Sequence, residues 1–185
     1  MAWTHSAYER GFEVSIQALI VLAISPCDAA WRLGAPSTLP PDAPDFRWPV
    51  VLIRFSLAQI YLIAGWSKLA RVGPQWATSD NLRRWLVLFS ESDISVVFNS
   101  LGPWIAAHPA LCGVVAVGAL ALDLSFVLAV FSRRARMVLV PAALAMHAGI
   151  ALSMNIVFLN APQLLVFCDF DAVARRFRRQ SITTS

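Results

Sequence analysis

Long apolar stretches separated by short polar segments dominate the chain. Residues 48–70 and 104–131 carry few charges, and residues 137–170 are almost wholly apolar. A helix of about 20 mostly apolar residues crosses the hydrocarbon core of a bilayer. The pattern therefore predicts an all-α protein, a polytopic transmembrane helix bundle that forms a single domain over residues 1–185.

Charges and helix breakers mark where the predicted spans end. Pro26 ends the first apolar run because proline disfavours a helical residue before it, and a basic loop at 132–136 follows the third run. Pro162 interrupts the last run. We expect four spans at about 10–25, 48–70, 104–131 and 137–158, with a short helix at 160–173 that either re-enters the membrane or makes a fifth span.

Residues 79–90 have a different pattern. Leu82, Leu86 and Phe89 recur at helical spacing, while Arg83 and Arg84 lie off that stripe. A helix with one apolar and one basic face is typical of a segment that lies in the membrane interface. We predict an amphipathic interfacial helix here.

The composition agrees with a membrane protein. Hydrophobic residues make up 58% of the chain and charged residues 14%, whereas a soluble domain is nearer a quarter charged. The net charge of +4 comes from arginines at loop positions, as expected beside anionic headgroups. We expect the lipid bilayer as partner and no nucleic acid. The many arginines and alanines indicate a multi-pass protein of a bacterial inner membrane.

The cysteines and histidines do not form a recognisable metal site. Three cysteines and three histidines are far apart in the sequence, without the spacing of a zinc site or a disulfide framework. We therefore expect no metal. Trp76, which follows Pro74, has the position of an interfacial anchor.

Lys68 is the first candidate for chemistry, and three interpretations of it are open. It follows Ala64 and Gly65 near the end of an apolar run. Its ammonium group can extend to the headgroups, as lysines at helix ends commonly do. It can instead pair with an acid. Alternatively, it faces a polar cavity as a desolvated amine that can lose its proton and act as a base.

Asp123 and His147 also lie within apolar runs. A carboxyl group in a membrane must be protonated, paired or in a wet cavity, and a structural ion pair with Arg54 is one interpretation. His147 is either a satisfied core residue or part of a lined cavity. It is eight residues before Asn155, about two helical turns, so the two would share a helix face.

Several phrases occur in order along the chain. They are LAISP at 22–26, Trp48-Pro49 with Arg54, YLIAGWSKL at 61–69 followed by Trp76, LDLS at 122–125, and HAGIALSMN at 147–155. Together they resemble the HTTM (horizontally transferred transmembrane) domain shared with vitamin K-dependent gamma-carboxylase. The A-G-x-x-K-L phrase alone also occurs in DoxX-like and MauE-like four-helix proteins.

The resemblance implies a function for these residues. In the carboxylase, the lysine of this phrase is the base tied to oxygenation of a hydroquinone, so a vitamin K-like quinol would be the cofactor here. By resemblance, the catalytic residues are Lys68, His147 and Asp123, and the substrate-binding residues are Arg54, Tyr61, Trp76 and Asn155.

The chain also departs from that family. The family domain has further helices before the segment that matches residues 11–24, and a soluble domain after its membrane part. We therefore expect a shortened homologue, a fragment, or half of an assembly in which a second membrane subunit supplies the missing helices.

Enzymatic activity stays open at this point, because the alternative is a non-enzymatic DoxX-like accessory or scaffold subunit. The enzyme hypothesis requires Lys68, Asp123 and His147 to converge on one cavity. The scaffold hypothesis instead places Lys68 at a headgroup and leaves the helix interface dry.

Overall fold

A computed structural model describes residues 15–25, 47–90, 101–158 and 161–168, and within these ranges it contains helices and turns but no strand. This confirms the all-α class for the described part of the chain. The α-helices are α1 Ser15–Ile24, α2 Arg47–Val72, α3 Ser79–Ser90, α4 Leu101–Ala106, α5 Pro109–Ser125, α6 Leu128–Phe131 and α7 Arg133–Met154, and two 3₁₀ helices cover Gly73–Ala77 and Ala161–Phe167.

Two of the described helical segments are long and apolar enough to cross a membrane. They are Arg47–Ala77, which joins α2 to the first 3₁₀ helix, and α7. Helices α1 and α5 are apolar but shorter. In the most apolar 18-residue stretch of each segment, 22% of the residues are buried in Arg47–Ala77 and 11% in α7. The core helix of a soluble protein buries most of such a stretch.

Helix α2 begins and ends where its sequence requires. Pro49 lies in the first turn, where the missing N–H would have no partner in the helix anyway. At the other end Gly73 has a φ of 73°, a left-handed conformation that glycine adopts without strain. Pro74 then opens the 3₁₀ helix, so the chain changes direction directly after α2.

The predicted helix at 104–131 is divided into three helices in the structure. Pro109 opens α5 after the N-cap residue His108, because a proline fits the first turn of a helix but not its interior. Beyond Ser125, the N–H of Ala129 donates to the carbonyl of Phe126, a tightened i to i−3 bond that separates α5 from α6.

Helix α7 ends four residues before the predicted end at 158. Its N-cap is Ser132, whose hydroxyl accepts from the N–H of Ala135. Its C-cap is Asn155, with a left-handed φ of 55° that asparagine tolerates better than most residues. Asn155 is therefore the C-cap residue, with its N–H still bonded to the carbonyl of Ala151, and its sharing of a helical face with His147 stays a prediction.

The remaining predicted boundaries are only partly covered by the described residues. The 3₁₀ helix Ala161–Phe167 lies within the short helix predicted at 160–173. Residues 10–14 of the first predicted span, and the ends of that short helix at 160 and 169–173, lie outside the described residues. The position of α3 relative to a membrane stays a prediction.

The core forms where α2 packs against α5 and α6, while α7 packs on α6 and reaches α2 through His147. Tyr61 of α2 contacts Phe126 and His147, while Lys68, two turns further along, contacts Asp123. Residue numbers therefore fall along α5–α6 as they rise along α2, so the two run antiparallel. The buried cluster consists of Leu57, Ala58, Tyr61, Phe126, Ala129, Val140, Ala143, Leu164 and Phe167.

Candidate functional site

One face of α2 carries the side chains that position the site. Tyr61, Gly65 and Lys68 are related by steps of four and three residues, which places them on the same side of a helix. That side faces α5, α6 and α7. The face therefore presents a phenol, a gap without a side chain, and an amine, in that order along the helix.

Gly65 lets α2 approach α5 closely. A Cβ atom at this position would lie 2.9 Å from the Cβ of Asp123 and 3.0 Å from a methyl group of Leu124. Real Cβ atoms do not come this close to such neighbours, so any larger residue would force the helices apart. The glycine thus sets the helix separation at which the Lys68 side chain reaches Asp123.

Lys68 and Asp123 form an ion pair, with the Nζ of Lys68 donating to the Oδ2 of Asp123. The Asp123 side chain is only 3% exposed, whereas that of Lys68 is 27% exposed. The structural ion pair that the sequence suggested between Asp123 and Arg54 is thus made by Lys68. The carboxylate is enclosed, and the amine lies between it and the surface.

Trp76 covers the amine from the first 3₁₀ helix. The Nζ of Lys68 lies 4.4 Å from the centroid of the Trp76 ring, within the range of a cation–π interaction. The side-chain amide of Asn81 donates to the carbonyl of Trp76 at 3.0 Å, which ties this segment to α3. Lys68 is therefore held between a carboxylate and an aromatic face.

A second polar pair lies next along α2. The hydroxyl of Tyr61 and the Nε2 of His147 are hydrogen-bonded at 2.6 Å, which joins α2 to α7. Tyr61 also stacks on Phe126, with 4.1 Å between ring centroids. The Nδ1 of His147 is buried and makes no hydrogen bond within the described part of the chain. When Tyr61 donates to Nε2, this Nδ1 carries the imidazole proton.

The two pairs are adjacent parts of one arrangement. Asp123 is three residues before Phe126, on which Tyr61 stacks, and its carboxylate is close enough to Tyr61 for a Coulombic interaction. The structure thus places the Lys68–Asp123 pair and the Tyr61–His147 pair about two turns apart along one face of α2. Lys68 and Tyr61 belong to that face, and their partners reach it from α5 and α7.

Arg54 lies apart from this group. Its Nε donates to the carbonyl of Val166 at 2.9 Å, and its guanidinium carbon lies 5.9 Å from the centroid of the Phe167 ring. It is 14 residues before Lys68, about 21 Å along the helix. Arg54 therefore holds the second 3₁₀ helix against α2 rather than joining the Lys68 cluster.

An apolar hollow of about 440 Å³ opens beside the N-terminal half of α2. Leu57 lines it and is one turn before Tyr61. The other lining residues are Ser15, Ala18, Leu19, Ile53, Pro162, Gln163 and Val166. The hollow is therefore next to the end of the site that carries the phenol.

The sequence indicated the charged members of the site but not their connections. Lys68, Asp123 and His147 were identified because each is a polar residue in an apolar run. Tyr61 follows from the resemblance alone, and Gly65 enters only as a neighbour of Lys68 in the same apolar run. Tyr61, Gly65 and Lys68 are spaced by four and three residues, and this helical spacing is the signal in the sequence that places them on one face.

No protein-family model, curated protein or solved structure matches the chain.

Proposed function

We propose that this chain is a membrane-embedded proton-transfer enzyme of the HTTM type, which takes a proton from a lipid-soluble quinol at Lys68. The observation that carries the proposal is the ion pair between Lys68 and the enclosed carboxylate of Asp123, beside the hydrogen-bonded pair of Tyr61 and His147. The proposed setting is a four-span bundle in a bacterial inner membrane.

Exposed apolar surface supports the membrane setting. Large hydrophobic side chains are exposed on α1, α2, α5 and α7, among them Leu19, Ile63, Val114 and Val138. Exposing so much apolar surface to water is unfavourable and leads to aggregation in a soluble monomer. Contact with lipid acyl chains removes that cost.

The chemistry follows from the low polarity around the pair. A lysine ammonium and a carboxylate can exchange one proton to become an amine and a carboxylic acid, with no change in net charge. The neutral forms avoid the cost of keeping the charged carboxylate of Asp123, which is almost fully enclosed, away from water. The amine of Lys68 can then accept the hydroxyl proton of a quinol, which leaves a quinolate beside the ammonium group.

The surroundings of the amine favour an aromatic, apolar substrate. The ring of Trp76 offers an aromatic face at Lys68, and the partial exposure of Lys68 leaves a route to it from outside the bundle. The hollow beside Leu57 is apolar enough to hold a hydrocarbon tail. Tyr61 and His147 can relay a proton away from the pair by exchanging it along their hydrogen bond.

Replacing Lys68 with alanine tests the proposal. We expect Lys68→Ala to abolish quinol-dependent oxygen consumption, in which dioxygen oxidises the quinolate to the quinone and is itself reduced to hydrogen peroxide. The protein should still accumulate in the membrane. The activity is lost because no other amine contacts Asp123 in the described part of the chain. The measurement uses the full chain in lipid nanodiscs, supplied with a short-chain naphthoquinol and followed with an oxygen electrode.

Two companion variants sharpen this test. Lys68→Arg keeps the charge but removes the base, since a guanidinium does not lose its proton in proteins, and we expect it to be inactive as well. Arg71→Ala removes an exposed cation from the same helix and should keep wild-type activity. Unchanged oxygen consumption in Lys68→Ala would disprove the role of the amine.

One observation favours a non-enzymatic scaffold as second candidate. The close approach at Gly65 and the ion pair together fasten α2 to α5, which is what an accessory subunit needs for a rigid bundle. In that case Lys68→Arg, which can still pair with Asp123, should behave as wild type in the assembly of the bundle. No variant of Lys68 would then alter a quinol reaction.

A further inference from the structure

Helix α3 presents an outward face that the quinol site does not use. Its inward side packs through Leu86, which is buried with Ala106 and Cys112, and through Leu82 beside them. Arg84 is exposed on the opposite side, and Arg83 is exposed on the flank between that side and Leu86. An open hollow of about 610 Å³ lies there, lined by Asp80, Arg83, Arg84, Val87 and Leu88.

The polarity of this face changes along the helix. Its first two turns carry Asp80, Arg83 and Arg84, and its third turn carries Val87 and Leu88, both of which are exposed. The spacing of four residues from Arg83 to Val87, and from Arg84 to Leu88, places an apolar side chain directly after each arginine. The hollow therefore adjoins a charged surface on one side and an apolar surface on the other.

The charged surface has the chemistry of a phosphate site. Among the described residues that line the hollow, two guanidinium groups outnumber the one carboxylate of Asp80, so this lining has a net positive charge. Within the described residues the structure pairs neither arginine with an acid. Guanidinium groups bind phosphate oxygens through paired hydrogen bonds.

We infer that the hollow on α3 is a binding site for an anionic phospholipid. Arg83 and Arg84 bind the phosphate, and an acyl chain lies over Val87 and Leu88. A phosphopeptide or a free phosphate would use the arginines but would leave the apolar turn exposed to water. A phospholipid uses both surfaces at once, which is why the charge and the apolar pattern together point to it.

The test measures lipid binding to the full chain in detergent. Native mass spectrometry with added phosphatidylglycerol gives the apparent dissociation constant for wild type and for the double variant Arg83→Gln/Arg84→Gln. We expect the double variant to bind about 30-fold more weakly, from two guanidinium–phosphate interactions of ordinary strength. Wild type should also prefer phosphatidylglycerol to zwitterionic phosphatidylcholine by about 10-fold or more.

The chain offers a matched control for charge alone. Arg47 and Arg71 are also exposed, but they lie at opposite ends of α2 and cannot bind one phosphate together. Arg47→Gln/Arg71→Gln should leave this binding unchanged. An equal loss in this control would show a general effect of charge and would overturn the proposal.

Two further measurements separate a lipid from other sources of phosphate. Val87→Ser/Leu88→Ser should weaken phosphatidylglycerol binding, because it removes the surface for the acyl chain; unchanged binding would refute a lipid site. Inorganic phosphate at equal concentration should not displace the lipid, and displacement would identify a simple anion site. Lys68→Ala should bind lipid as wild type does, so the outcome is independent of the quinol reaction.

Discussion

Lys68→Met is expected to lower the free energy of unfolding by about 3 kcal/mol or more, which is typical when one partner of a buried ion pair is removed. Methionine has nearly the shape of lysine, so the packing changes little while the cation is lost. The carboxylate of Asp123, which is almost fully enclosed, must then be protonated or stay unpaired. Chemical denaturation in mixed micelles, followed by tryptophan fluorescence, measures the loss.

Replacing the other member of the ion pair should lower the free energy of unfolding by less. Asp123→Asn leaves the ammonium of Lys68 without its counter-charge, but this side chain is partly exposed and can turn toward water or headgroups. We expect a loss of roughly 1–2 kcal/mol, the contribution of a hydrogen bond to a charged group. The asymmetry between the two single variants follows directly from the unequal burial of the partners.

The double variant completes a thermodynamic cycle. Lys68→Met/Asp123→Asn removes both charges, so we expect it to unfold within about 2 kcal/mol of the wild type and to be more stable than Lys68→Met alone. Equal losses in the two single variants, or strict additivity in the double variant, would contradict a coupled buried pair. Arg71→Met, an exposed cation on the same helix, should change the stability by less than about 0.5 kcal/mol.

The charged members of the site could be predicted from the sequence because each is a polar residue within an apolar run. Charged groups are costly in a membrane, so Lys68 and Asp123 stand out as residues that require partners. The sequence could not predict which residue each of them pairs with. The sequence allowed Arg54 as the cation for Asp123, and the structure selects Lys68 because Gly65 brings α2 and α5 together at that level.

Some helix boundaries could likewise be predicted from the sequence, and others could not. The long apolar run ending near Val72 and the breaker Gly73-Pro74 are clear in the sequence, and α2 ends there. The split between α5 and α6 has no proline or glycine to mark it, since residues 125–128 are Ser-Phe-Val-Leu. It depends on a tightened turn in which Phe126 packs against Tyr61 and Phe167. Tertiary packing, rather than local preference, places that boundary.

Gly102→Ala is the second substitution with a large expected effect, a loss of roughly 3 kcal/mol in the free energy of unfolding. A Cβ atom at Gly102 would lie 2.3 Å from the carbonyl oxygen of Ser153. This oxygen belongs to the backbone near the end of α7 and cannot rotate away, so α4 and α7 must separate. The estimate is the upper end of the usual cost of overpacking a core, and denaturation in mixed micelles measures it.

Gly113→Ala and Gly149→Ala are the matched controls for this effect. Both glycines lie inside helices, and a Cβ at either position would meet nothing within 4 Å. Alanine favours a helix interior over glycine, so each control should raise the stability by about 0.5–1 kcal/mol. Adding one methyl group should therefore lower the free energy of unfolding at Gly102, where the helices are in contact, and raise it at Gly113 and Gly149, where they are not. A Gly102→Ala protein as stable as these controls would show that α4 does not dock on the backbone of α7.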